Sequence, residues 1–294
     1  MNLSQKRAAL SDLKEYGISQ RRGRVLLEVS RSFLRYQSKN ETDPLLEEIK
    51  KLALKYPKYG YRMIHSKLRE RHVVNAKKVY RLYLQANLQL KKPTRKKKCL
   101  VTRRHSLVAS KPDQIWSMDF VHDRAMVTAF RTLNIIDNYT RESTYFRVDR
   151  NLNSRDVILA LEHLIQNGRK PEVITCDNGP EFRANQFQKW CAENNIKIDF
   201  IEPGNPRQNP FVESFNGTFR DECLRTHIFK DLLEAKTIIS NWQKEYNHER
   251  PHSSIGKIPP ARFKEEILAG NWPIEWYRKC GHLTSAVKSA SGFA

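Results

Sequence analysis

The chain has 294 residues, 39% of them hydrophobic, enough to bury a sizeable core and to build more than one domain. Its formal charge of +21 points to a polyanionic partner. No run of about 18 apolar residues is present to span a bilayer, and the amino terminus MNLSQKRAAL lacks the apolar segment of a signal peptide, so a soluble, intracellular protein with no membrane partner is expected.

The charge is unevenly placed. Residues 1–112 hold 29 Lys and Arg against 8 Asp and Glu, which is the whole excess, while residues 113–294 balance 24 against 24. Basic side chains that neutralise phosphates release condensed counterions, so a polyanion-binding front ahead of a neutral body is the simplest reading. The five cysteines (Cys99, Cys176, Cys191, Cys223 and Cys280) are scattered with no C-x-x-C pair, which suggests neither a disulfide framework nor a cysteine zinc site.

Residues 3 to about 37 read as short helices, broken at Tyr16-Gly17, with Ser19 as N-cap of a helix from Gln20 to Glu28 and a further turn from Arg31 to Tyr36. This sets a first small helical unit at residues 1–40. After the polar break SKNETDP a second helical unit covers residues 44–90, where Leu45, Leu46, Ile49, Leu52, Ala53, Ile64 and Leu68 keep helical spacing. Asn75 is placed to cap its last helix, from which Lys77, Lys78 and Arg81 would project toward DNA. Residues 91–112 read as a basic linker; its core, KKPTRKKKCLVTRR, has no helical or strand period and suits contact with a phosphate backbone, Lys96, Lys97 and Lys98 above all.

Strands are expected at 115–121, about 130–137, 143–149, 172–177 and 197–202, with helices at 154–167, at 185–195 and from 210 onward. Three strands followed by alternating helix and strand predict an α/β core, residues 113–263, with a mixed five-stranded sheet flanked by helices. Residues 264–294 form a carboxyl-terminal extension for which packing is the default role.

Three acids stand out in this core. Asp119 interrupts an apolar strand, where an unpaired carboxylate costs on the order of several kcal/mol unless it is paired or bound to metal. Asp177 closes the run Val173-Ile174-Thr175-Cys176 before an Asn178-Gly179 turn. Glu213 falls in the first turn of a helix opened by Asn209-Pro210, on one stripe with Asn216 and Arg220. Carboxylate oxygens suit Mg²⁺ or Mn²⁺, and two such ions about 3.5–4 Å apart can clamp both oxygens of a phosphodiester displacement. On the residues alone Asp137, at the end of the second strand, ranks nearly level with Asp177, and Asp123 and Glu181 are near. His248 and His252 read as structural or phosphate-contacting groups rather than metal ligands.

The stretch from Trp116 to Phe263 resembles the catalytic core of DDE transposases and retroviral integrases, and most closely the second-frame (OrfB) proteins of the IS-three family of bacterial insertion sequences. The residues that carry the likeness are WSMDF, IIDNYTRE, DNGPEF, EPGNPRQNPFVESFNGTFRDECL and YNHERPH, together with the family's interval of 35 residues between the second Asp and the Glu. The resemblance implies a ribonuclease H-like core with the strands of Asp119 and Asp177 side by side, preceded by a small helix-turn-helix-like unit at residues 1–40 and a second helix-turn-helix DNA-binding unit at residues 44–90. It also implies that Asp119, Asp177 and Glu213 are catalytic and hold the metal, with Asn209, Asn216 and Arg220 in support. The His/Cys zinc module of retroviral integrases is missing.

The function so implied is metal-dependent cleavage at insertion-sequence ends and strand transfer. The partners would be double-stranded DNA, a second copy of the chain on that DNA, and an upstream-frame protein or frameshift fusion, in the cytoplasm and on the nucleoid of a bacterium. A helix-turn-helix regulator with a silent core, or a ribonuclease H-like nuclease without strand transfer, are the competing readings.

Overall fold

The computed structural model describes residues 3–32, 43–90, 107–202 and 208–270. The chain falls into two compact units, Met1–Glu48 and Ile49–Ala294. In the first, helices α1 (Leu3–Glu15) and α2 (Gln20–Leu26) are joined through Gly17, whose φ of 76° is a left-handed conformation that glycine adopts without steric cost. Ser19 caps α2 by accepting from the Arg22 N–H, and Lys6 Nζ donates to the Leu27 carbonyl at 3.2 Å. The expected helix beyond Arg31 runs into residues that lie outside the described ones.

Helix α3 (Pro44–Lys55) leads into α4 (Tyr61–Leu68) and α5 (Ala76–Gln85). Asn75 caps α5, its Oδ1 accepting from the Lys77 N–H at 2.9 Å. Val79, Leu82 and Tyr83 are buried on one face of α5, and Lys77, Lys78 and Arg81 are exposed on the other. Between α3 and α4, Tyr56 and Tyr59 stack with centroids 4.4 Å apart. Tyr56 Oη donates to Glu249 Oε2 at 2.8 Å, tying this segment to the end of a helix of the core.

The core is built on strands β1 (Ile115–Arg124), β2 (Ala129–Asp137), β3 (Ser143–Asp149), β4 (Val173–Cys176) and β5 (Lys197–Phe200). They form one mixed sheet in the order β3-β2-β1-β4-β5, with β1, β2 and β3 antiparallel and β4 and β5 parallel to β1. This is the five-stranded arrangement that the resemblance implies. β1 extends three residues past the expected end because Asp123 and Arg124 pair with Phe130 and Ala129 in the hairpin.

Side chains alternate across a strand, and each face of this sheet has its own core. Trp116, Met118, Leu133, Ile135, Ile174 and Cys176 pack under helices α6 (Ser154–Gln166), α7 (Pro180–Arg183) and α8 (Asn185–Glu193). Val121, Phe130, Ile136 and Val148 pack on the other face, under α9 (Pro210–Glu222) and α10 (Leu232–His248), which contribute Val212, Phe215, Phe219, Ile239, Trp242 and Tyr246. Helix α11 (Pro260–Leu268) buries Phe263. Asp119 lies two residues from Val121 on β1, and so faces α9.

Candidate active site

Strand pairing brings two of the acids together. β1 and β4 run parallel with Ile115 opposite Val173 and Ser117 opposite Thr175; the same register continued two residues sets Asp119 beside Asp177, just past the end of β4. Burial pushes the Asp119 carboxyl up to about 6, and the nearby charge of Asp177 adds to the rise. The Phe120 N–H, the charge of Arg220 and the side chain of Asn216 oppose it.

Helix α9 closes over this pair. Asn209 stands at its N-cap position, but its side chain makes no cap hydrogen bond. Instead Asn209 Nδ2 reaches the carbonyls of Met118 and Thr175, at 3.4 and 3.5 Å, and pins the start of the helix to the two acid-bearing strands. Two turns on, Asn216 is 1% exposed and its Nδ2 donates to Asp119 Oδ2 at 2.7 Å. Asn216 Oδ1 in turn accepts from Asn134 Nδ2, also at 2.7 Å. Asn134 was not singled out from the sequence, although it breaks the apolar run Leu133 to Ile136 in the same way that Asp119 breaks its own strand.

Glu213 is exposed and lies one helical turn, about 4.5 Å along the axis, before Asn216. Arg220 is exposed one turn after it and close enough for its charge to act on Asp119. Among the described residues no three His, Cys, Asp or Glu side chains are drawn together tightly enough to hold one ion. Asp119 and Asp177 converge at neighbouring strands, and Glu213 is carried on the first turn of α9.

The neighbouring acids are occupied otherwise. Asp137, 0% exposed, accepts from the N–H groups of Asp113 and Tyr139 and from Thr140 Oγ1. It sits opposite Trp116, three residues from Asp119 along β1, or roughly 10 Å at strand spacing. Glu181 is paired with Arg131, Nη1 to Oε1 2.6 Å, and that guanidinium lies 4.3 Å from the Phe120 ring centre. Asp123 Oδ1 accepts the Arg124 N–H at the far end of β1.

The turn after Asp177 is built tightly around it. The Gly179 N–H donates to Asp177 Oδ1 at 3.0 Å, and a Cβ at Gly179 would stand 3.0 Å from that oxygen and 3.2 Å from Glu181 Oε2. A side chain there would crowd both carboxylates, one of which must give by a few tenths of an ångström.

The remaining sequence candidates fall elsewhere. His248 is exposed, whereas His252 packs edge-on to Tyr246, and burial with the charges of Arg250 and Arg141 holds its imidazole down to about 3. Lys96, Lys97 and Lys98 lie outside the described residues. Cys176, Cys191 and Cys223 are buried free thiols.

Comparison with known proteins finds sequence relatives over most of the chain. Residues 109–206 and 194–260 match two models of an integrase core domain, and residues 40–98 match an HTH-like domain. The chain is 39% identical over 263 residues to the insertion element IS476 39.2 kDa protein of Xanthomonas euvesicatoria, covering 88% of this chain and 76% of that one. It is 34% identical over 255 residues to the IS407 31.7 kDa protein of Burkholderia multivorans (85% and 92%). It is 24% identical over 227 residues to the putative transposase InsK of IS150 in Escherichia coli (71% and 78%). Among solved structures, a simian T-cell lymphotropic virus intasome aligns over 74% of each chain at 20% identity and a TM-score of 0.47.

Proposed function

The chain belongs to the insertion-sequence transposases of the IS-three family, within the DDE superfamily, and we propose that Asp119, Asp177 and Glu213 are the carboxylates with which it cleaves and joins DNA. The observation that carries this is the meeting of Asp119, midway along β1, with Asp177, just past the end of the neighbouring β4, under a helix that bonds directly to Asp119 through Asn216. Burial raises the pKa of Asp119, and the neighbouring charge of Asp177 adds to the rise, so two ionised carboxylates here are held at a cost. A hard divalent cation, Mg²⁺ or Mn²⁺, relieves that repulsion and takes oxygen donors of this kind.

Asp119 would contribute the lone pairs that Phe120 and Asn216 leave unused. Asp177 is held by the Gly179 N–H at the mouth of the site. Glu213, on a long side chain one turn from Asn216, would complete the set by swinging toward the two aspartates. Asn209 and Asn216 fix α9 against the strands, and Arg220 supplies positive charge beside Asp119 for a phosphate approaching that flank. When bound, a pair of such ions would lower the pKa of the attacking water or 3′-hydroxyl and neutralise charge growing on the phosphorus oxygens.

The DNA would be held elsewhere. Exposed Lys77, Lys78 and Arg81 on a capped, amphipathic α5 support entry of that helix into a major groove at the element's ends. The excess charge ahead of residue 113, the Lys96 to Lys98 run included, would supply phosphate contacts. Action on the nucleoid as an oligomer, alone or with an upstream-frame partner, completes the proposal. No helix among the described residues is long and apolar enough to cross a membrane.

Asp119→Asn, Asp177→Asn and Glu213→Gln are each expected to abolish Mg²⁺-dependent strand cleavage while leaving gel-shift affinity for the same duplex nearly intact. Normal cleavage by Asp177→Asn together with its loss in Asp137→Asn would show that the second acid is Asp137.

A further inference from the structure

The buried amides between β2 and the site form a one-way relay. Asn134 and Asp119 are directly opposite each other in the β1–β2 pairing, so both project toward α9. Asn216 lies between them: it accepts from Asn134 Nδ2 at 2.7 Å and donates to Asp119 Oδ2 at 2.7 Å. Both asparagines are 1% exposed, so solvent is not at hand to replace a lost partner.

A side-chain amide has two orientations of nearly equal shape, with donor and acceptor exchanged. Against a carboxylate only one is tolerable, because the reversed amide would set its oxygen against Asp119 Oδ2. Asn134 holds Asn216 in that orientation from the other side by presenting an N–H to its oxygen. The Phe120 N–H already occupies Asp119 Oδ1 at 2.8 Å. Each carboxylate oxygen then has one protein donor and one remaining lone-pair direction.

Given the assignment of Asp119 as a metal-binding carboxylate, on which this inference rests, we propose that Asn134 is a positioning residue of the active site: by fixing the orientation of the Asn216 amide, it fixes which lone pairs Asp119 offers to a divalent cation. Groups that orient a metal ligand from behind typically change metal affinity or activity by about 10–100-fold when removed. A merely structural asparagine would change the melting temperature and leave the metal response alone.

The test uses the full chain without DNA and then with it. Mn²⁺ and Mg²⁺ binding is measured by titration calorimetry and by the metal-dependent rise in Tm, for the parent, Asn134→Leu, Asn216→Leu and the double variant. The isosteric Asn134→Asp, which offers Asn216 an acceptor in place of a donor, is measured beside them, and Asn134→Ala takes the place of the leucine variant if that one does not fold. Asn134→Leu and Asn134→Asp should weaken metal binding by about 10–100-fold. Cleavage of end DNA at limiting metal should fall by the same factor and largely recover at saturating metal.

The double variant should bind metal no worse than Asn216→Leu, since the relay is already broken. Parent-like metal affinity in Asn134→Leu and Asn134→Asp, or losses that multiply independently in the double variant, would overturn the relay. If Asp119→Asn itself binds metal and cleaves normally, the fault lies in the assignment of the site. If Asp119→Asn is inactive and the Asn134 variants are normal, only the relay fails.

Discussion

Arg250 grips Glu222 with two hydrogen bonds of 2.7 Å, Nε to Oε2 and Nη2 to Oε1, joining the loop after α10 to the last turn of α9. The two side chains are 12% and 13% exposed, so little solvent screens the pair. The arginine of the RPH segment thus anchors the carboxyl end of α9, the helix that carries Glu213, Asn216 and Arg220.

Removing one partner of this pair leaves a nearly buried charge, and Arg250→Ala should therefore cost about 3–5 kcal/mol in urea unfolding. Arg250→Lys should recover only part of that, since an ammonium cannot make the two-pronged contact. The combined Arg250→Met and Glu222→Leu variant should regain most of the loss. A cost for Arg250→Ala below about 1 kcal/mol would show that the pair behaves as a surface ion pair.

Asp119 predicts a conflict between stability and function. Its carboxyl has an ordinary value of 3.8 and rises to about 6 in the fold, mainly through burial. The native state thus binds the proton more tightly than the unfolded chain. The associated stability is fully present below 3.8 and lost as pH rises through about 6. At pH 8 the ionised group costs up to about 3 kcal/mol. Asp119→Asn removes that cost and gives up one hydrogen bond worth about 1 kcal/mol. In EDTA at pH 8 the variant should be more stable by about 1–2 kcal/mol, with the difference vanishing toward pH 4. Added Mg²⁺ should raise the Tm of the parent and not of the variant. Equal stabilities at pH 8 would show that the carboxylate is not strained.

Asp137, the rival second acid, predicts the reverse pattern. Its carboxylate accepts three hydrogen bonds that close the turn after β2, and burial raises its pKa. Asp137→Ala should lower stability by roughly 1–3 kcal/mol through unsatisfied buried donors. Cleavage assayed well below its Tm should stay near the parent level. Loss of cleavage with unchanged thermal unfolding would return Asp137 to the catalytic set.

The sheet was legible from the sequence because short apolar runs and Asn-Gly or Asp-Asn stops are local signals, and β2 and β3 end close to where those signals put them. Adjacency of Asp119 and Asp177 was carried by the family likeness, since no local pattern says that β4 pairs with β1. The Asn134 relay and the Arg250–Glu222 grip were hidden for a further reason. Each joins residues 82 and 28 positions apart, and their meaning lies in which atoms donate. Asn209 read correctly as the residue before α9, yet its side chain serves the sheet instead of the helix.

Gly179 has a φ of −57°, which any residue can adopt, so alanine there is not excluded by the backbone. The constraint is space beside Asp177. Gly179→Ala should leave the Tm within a few degrees of the parent and depress cleavage at limiting Mg²⁺, because the methyl group meets the carboxylate oxygen at 3.0 Å. Unchanged metal dependence of cleavage would mean that the Asp177 side chain rotates freely out of its way.

The last prediction separates affinity from discrimination and uses the full chain, because Tyr56 is tied to Glu249 of the core and truncation would cut that contact. On α5 the buried face is Val79, Leu82 and Tyr83, so Lys77, Lys78 and Arg81 can be changed to Gln without opening the core. If the helix enters a major groove, these changes should reduce the preference for end-sequence DNA over random duplex, each good base contact being worth about 1–3 kcal/mol. Neutralising Lys96, Lys97 and Lys98 together should weaken both duplexes alike and make the slope of log K against log salt shallower by up to about three units, at about 0.9 per phosphate released. Fluorescence anisotropy across a salt series measures both quantities on the same samples. Equal loss of preference in the two triple variants would place base recognition outside α5.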